Sequence, residues 1–138
     1  MFASRAADCH DDRERGSAVV EFVLVSLLIV MLLLAVLQVA VYVHVRNVVT
    51  ASAQEGARYA ANVDVDSGAG AARTLEVIGR ATSEQTAKGM ACSSTEEADG
   101  TGLTLVVVRC SGSVPSLLAA LGSLLPLDVT GRAVKEMP

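Results

Sequence analysis

The sequence predicts an α+β chain: a long N-terminal transmembrane helix continuing into a small extracytoplasmic domain with a second helix and a three-stranded antiparallel sheet. Three observations predict it. Phe22–Val43 consists almost wholly of Val, Leu, Ile, Met and Ala, interrupted by Ser26, Gln38 and Tyr42, and carries no charge. Residues 44–89 hold small and apolar residues at helical spacing, with a polar break at 63–68. From Met90 onward the pattern turns β-branched and alternating.

The apolar run comes first. At about 1.5 Å per residue it spans roughly 33 Å, enough to cross a hydrocarbon core of about 30 Å. It is apolar on every side and offers no face to water. A chain of 138 residues is too short to wrap such a helix in a soluble core. Before it, residues 1–16 form a polar leader with Arg5, Arg13 and Arg15 set against Asp8, Asp11, Asp12 and Glu14. The orientation rule counts basic residues near the span and largely ignores acids, which puts the N-terminus in the cytoplasm by a slight margin over Arg46 and Arg58. The expected organisation is therefore a disordered cytoplasmic leader over 1–16, a transmembrane helix over 17–44 and an extracytoplasmic α+β domain over 45–138.

Glu21 sits one residue before the apolar run. Ser17 is a suitable N-cap, and a carboxylate in the first turns complements the positive end of the helix dipole. At the headgroups this costs little; at the bilayer centre it would cost several kcal/mol. Past the membrane the helix is expected to continue to Asn62, for a total of about 70 Å from Ser17. Tyr42 suits the outer interfacial belt. Val49, Ala53, Gly56, Ala57, Ala60 and Ala61 then form a narrow small-residue stripe. Such a stripe suits close approach of another element, from the chain's own domain or from a second subunit.

Val63–Gly68 breaks the helix. Its alternating Asp64 and Asp66 lack the remaining ligands of a calcium loop, so a turn with capping by Asp66 or Ser67 is expected. A second helix follows over 69–89, with Ala72, Leu75, Ile78 and Thr82 inward and pairs Arg73–Glu76 and Arg80–Glu84 outward. Lys88-Gly89 ends it. Leu103–Val108 reads as a strand, with Met90–Ser94 a weaker one before it. With the hairpin centred at Thr101, Cys92 and Cys110 fall opposite one another, and outside the cytoplasm the pair should oxidise. Pro115 is expected to open a short helix over Ser116–Leu121. Residues 127–134 alternate as a third strand.

Composition and motifs exclude several functions. A formal charge of −4 without a basic cluster argues against nucleic acid. Cys9-His10-Asp11-Asp12 has no second ligand cluster, so no metal is expected, nor any other cofactor. His10 and His44 flank the membrane and cannot share a site, and no glycine-rich phosphate loop follows a strand. No catalytic residues are assigned and an enzyme is not expected.

The string Gly16-Ser17-Ala18-Val19-Val20-Glu21-Phe22, directly before an uncharged span, resembles the processing site of type IV prepilins in its Flp, or tight-adherence, variant. The resemblance implies a membrane prepilin peptidase cutting Gly16–Ser17 on the cytoplasmic side. It also implies that Glu21, followed by Phe22, pairs with the new α-amine in assembly. With the alanine-rich Ala53–Ala61 and the closing Val129–Glu136, residues 15–138 are similar to the TadE-like (TadE/TadF) pilus assembly proteins, minor pseudopilins of the Flp type IVb system. Major Flp pilins are short and nearly all helix; the distinct outer domain here points to the minor role. The implied setting is single-pass in the bacterial inner membrane. The implied partners are membrane lipid, other pseudopilins or pilins, the pilus assembly platform and prepilin peptidase.

Two alternatives stand beside this. One is a membrane-anchored extracytoplasmic binding or sensor module that is never cut. The other is a domain secreted after a signal-peptidase cut at Ala51-Ser52-Ala53, although the apolar run is long for a secretory signal.

Overall fold

In the computed structural model the described residues are 8–115 and 124–137. The chain runs α1 (Asp8–Ala61), α2 (Ala69–Ala81), α3 (Glu84–Lys88), β1 (Met90–Ala98), β2 (Thr104–Pro115) and β3 (Leu124–Val134). The fold class is the expected α+β, a long apolar N-terminal helix with a second helix and a three-stranded antiparallel sheet in the order β1-β2-β3. Two units divide the chain, residues 1–37 and residues 38–138.

The first unit is helical from Asp8. Two expectations are corrected: residues 8–16 are helix rather than disordered, and Ser17 lies inside α1 rather than capping it. Over 8–16 Gly16 is the only helix breaker, at about 1 kcal/mol, and Arg and Glu favour the helix. From Gly16 to Leu37 the side chains are exposed, except the half-exposed Ser26 and Leu34.

The second unit holds the core. Val49, Ala53, Ala57 and Ile78 pack with Val108, Cys110, Val114 and Leu127 from the sheet. The small-residue stripe is therefore spent inside the chain. Where α1 crosses α2, a Cβ on Gly56 would lie 2.5 Å from the Gly70 carbonyl and collide with Thr74 Oγ1. Gly131 on β3 likewise leaves room only for the α1 backbone, since its Cβ would come within 2.6 Å of Gln54 N and closer still to Ala53. Thr74 is buried and its hydroxyl donates to the Gly70 carbonyl at 2.8 Å, so the crossing leaves no unsatisfied hydroxyl.

The second helix is shorter than expected and is followed by a separate turn of helix. Ser83 interrupts it, and its Oγ accepts from Thr86 N at 3.1 Å as the N-cap of α3. The buried face of α2 is Gly70, Thr74 and Ile78. The expected face is thus partly wrong: Ala72 is exposed and Leu75 and Thr82 are half-buried, because close contact with Gly56 selects the smallest residues. Arg73 pairs with Glu76 at 3.0 Å as expected, but Arg80 turns back to Glu76 rather than forward to Glu84. At the start of α2, Asp66 Oδ1 accepts from Gly68 N at 2.6 Å.

The hairpin is longer than its sequence signal. β1 extends through Glu96 and Glu97 to Ala98, and the turn narrows to Asp99–Leu103. Asp99 Oδ1 accepts from Thr101 N at 2.8 Å, Thr101 Oγ1 at 2.6 Å and Leu103 N at 3.0 Å, while Gly102 takes a φ of 85°. These donors, the Thr101 hydroxyl first, hold the Asp99 carboxyl below its ordinary pKa. Pro115 is the last residue of β2; the helix expected over Ser116–Leu121 lies outside the described residues. β3 begins earlier than expected, at Leu124, and admits Pro126 because it is an edge strand.

Candidate functional site

Gly16, Ser17, Glu21 and Phe22 all lie on α1, and all are exposed. Phe22 is 72% exposed, and nearly all of the large apolar side chains that follow it to Leu37 stand similarly open. Nothing lies within 4 Å of a Cβ built on Gly16. Among the described side chains none pairs with Glu21. The segment is a sleeve of apolar surface with one carboxylate at its entrance. Such a surface is stable against lipid or against other helices, and not against water. Gly16–Ser17 sits within helix, so a peptidase that needs an extended strand of substrate must unwind about one turn. Glycine lowers that cost by about 1 kcal/mol relative to alanine.

Cys92 and Cys110 are opposed in the β1–β2 register and joined by a disulfide. Cys110 is buried on the face turned toward the helices, and Cys92 packs on the same core. The bond closes the hairpin loop from the core side. Closure of a loop of this size is worth about 3 kcal/mol in the chain-entropy model.

The end of α1 is held by the chain's own C-terminal segment, a feature without a sequence signal. Lys135 Nζ donates to the carbonyls of Ala60 at 3.3 Å and Val65 at 3.0 Å, and lies 3.5 Å from Glu96. Glu136 N donates to the Ala61 carbonyl at 2.9 Å. A cation and a donor at a helix C-terminus satisfy carbonyls that the helix itself leaves open. Arg73 bridges Glu76 and, at 3.8 Å, Glu55 on α1, with its guanidinium 5.6 Å from the Tyr59 ring centre. These groups are partly exposed, and their contribution to stability is small.

No group of three or more metal-ligating side chains occurs among the described residues. Ser52 and Ala53 of the alternative signal-peptidase string are buried within α1 in the folded domain.

Residues 16–58 match the family model for TadE-like protein. Over that segment the chain is similar to the TadE-like family. The match begins at Gly16 and stops just short of the end of α1, so the TadE-like segment is the exposed apolar helix together with its buried small-residue continuation. Comparison with curated proteins and with solved structures gave no match.

Proposed function

We propose that this TadE-like protein is a minor pseudopilin of a tight-adherence pilus, cut by prepilin peptidase after Gly16 and held in the inner membrane by α1. Residues 45–138 then lie outside the cytoplasm, where the Cys92–Cys110 disulfide is chemically at home. One observation carries the reading most. The family match starts at the glycine of the proposed cut and runs along a helix whose large apolar side chains, as far as Leu37, are nearly all exposed. The small-residue stripe of Val49–Ala61 is buried within the outer domain, so contacts with other pseudopilins are assigned to the exposed stretch before Leu37. There Glu21 receives the α-amine of Ser17, its own or a neighbour's. An ion pair in that setting is favourable because the alternative is an unpaired charge in hydrocarbon.

The test is mass spectrometry of the N-terminus in cells with an active prepilin peptidase. Ser17 as the first residue supports the reading, and an intact 1–16 sinks processing. Glu21→Gln should leave membrane insertion unchanged and reduce piliation; full piliation would remove the pairing role.

The unprocessed anchor remains the second reading, and the helical state of Gly16–Ser17 favours it. The two separate at Gly16→Leu. An anchored module tolerates that change, whereas a pseudopilin loses its mature form.

A further inference from the structure

Parts of two uncharged stretches far apart in sequence, residues 38–42 and 125–126, meet at one end of the outer domain. Phe22–Val43 carries no charge, and neither does 110–127, which lies between Arg109 and Asp128. In the fold the Tyr42 hydroxyl donates to the Pro126 carbonyl at 3.2 Å. Gln38, Val39, Tyr42, Leu125 and Pro126 line one open groove of about 230 Å³. Its helix wall is the last part of the uncharged run, and its strand wall is the start of β3.

Charge is sorted along the sheet in the same sense. Asp128 pairs with Ser111, and past that pair neither β2 nor β3 carries a charged residue down to the Pro115–Leu124 pair. At the opposite end the hairpin holds Glu96, Glu97 and Asp99. The length of β2 separates the two ends by about 40 Å at the usual rise of a strand. At this end β2 and β3 are paired with each other to their last residues, and Tyr42 engages the carbonyl of Pro126, which itself has no N–H to satisfy. A tyrosine with its ring in an apolar groove and its hydroxyl on a carbonyl is the arrangement favoured at the headgroup boundary.

We propose that this end of the domain is seated in the bilayer surface, with a phospholipid acyl chain in the groove and Leu125 and Pro126 at the headgroup boundary. The outer domain then rests on lipid as a foot instead of hanging from its helix through water. The proposal depends on Phe22–Val43 being the membrane span, and the experiment separates the two.

The chain contains no tryptophan, so single substitutions report one position each. Full-length Leu32→Trp, Leu103→Trp and Leu125→Trp are reconstituted into phosphatidylcholine vesicles with lipids brominated near the headgroup end or at mid-chain. Leu32→Trp reports the span, and Leu103→Trp reports the hairpin end, where Leu103 is exposed. The expected result is blue-shifted emission from Leu125→Trp, quenched most by the shallow bromines, with Leu103→Trp unquenched. If Leu125→Trp behaves like Leu103→Trp while Leu32→Trp is quenched, the foot is wrong and the span stands. If Leu32→Trp is also unquenched, both are wrong. A blue shift at Leu125→Trp without quenching, lost on diluting the protein in lipid, means that a second copy fills the groove and overturns the proposal. Should Leu125→Trp expose Cys92 and Cys110 to alkylation before reduction, Pro126→Trp, whose side-chain position is exposed, is read in its place by the same criteria.

Discussion

One helix carries two opposite surfaces. From Val19 to Leu37, α1 presents large Val, Leu, Ile and Met side chains, and nearly all of them are exposed. From Val49 to Ala61 it presents Ala, Gly and Ser, and the stripe is only a few per cent exposed or less. The buried half is the less hydrophobic one. Side-chain size, not apolarity, decides which half meets protein: Gly56 and Ala53 let backbones approach, and the close contacts with Gly70 and Gly131 follow. Bulky side chains all around a helix forbid that approach and give a smooth surface for lipid.

The sharpest way to break this contrast is to put size where the chain is small. Gly56→Val should cost the outer domain about 3 kcal/mol or more, because the Gly70 backbone cannot move out of the way as a flexible side chain would. Loss of a cooperative thermal transition is the readout, and an unchanged melting temperature would refute the crossing. Removing the cross-strand staple with Cys92→Ala and Cys110→Ala together should cost about 3 kcal/mol in denaturant titrations. The same bond predicts that neither cysteine alkylates before reduction.

A matched pair of truncations probes the two surfaces directly. Ile78→Ala, which empties a site with no exposed surface, should lose about 2–5 kcal/mol. Leu32→Ala should leave the melting of the outer domain where it was. Equal effects at the two positions would erase the distinction.

The smallest effect concerns pH at the hairpin turn. Asp99 is held below its ordinary pKa by Thr101 and Leu103. A carboxyl whose folded pKa is depressed stabilises the fold above its unfolded pKa, and that contribution is lost as pH falls through the depressed folded value. Amide exchange at Thr101 and Leu103 should therefore speed up below about pH 4, relative to exchange in the strands, and should be fast at all pH values in Asp99→Ala. Exchange in that variant indistinguishable from the parent would show that the carboxylate does not hold the turn.

Much of the fold was legible because its signals are local. The uncharged run, the small-residue stripe, the β-branched Leu105–Val108 and the symmetric spacing of Cys92 and Cys110 about Thr101 each needed only near neighbours. The misses share a cause. Glu96 and Glu97 look like loop, yet they extend β1, where Glu97 meets Arg109 at 2.6 Å and Glu96 lies near Lys135. Ala72 has the right spacing for a core face, yet the contact with Gly56 turns α2 so that Gly70 and Thr74 face inward. The helix from Asp8 through Gly16 was hidden by a composition that suits a leader as well as a helix. For the candidate site, Gly16, Ser17, Glu21 and Phe22 were named by resemblance, and the family match covers them. The C-terminal clasp of Lys135 and Glu136 on α1 had no sequence signal, since its partners are backbone carbonyls more than 60 residues away.

The sequence by itself determined that this chain has one helix suited to hydrocarbon and a small α+β domain after it, because polarity and period are properties of neighbouring residues. Only the tertiary structure decided what the small-residue stripe touches, which face of α2 is inward and where the uncharged end of the sheet lies. Those outcomes depend on shape at contacts between distant segments, and a residue's type records its size and polarity but not the backbone that will press against it.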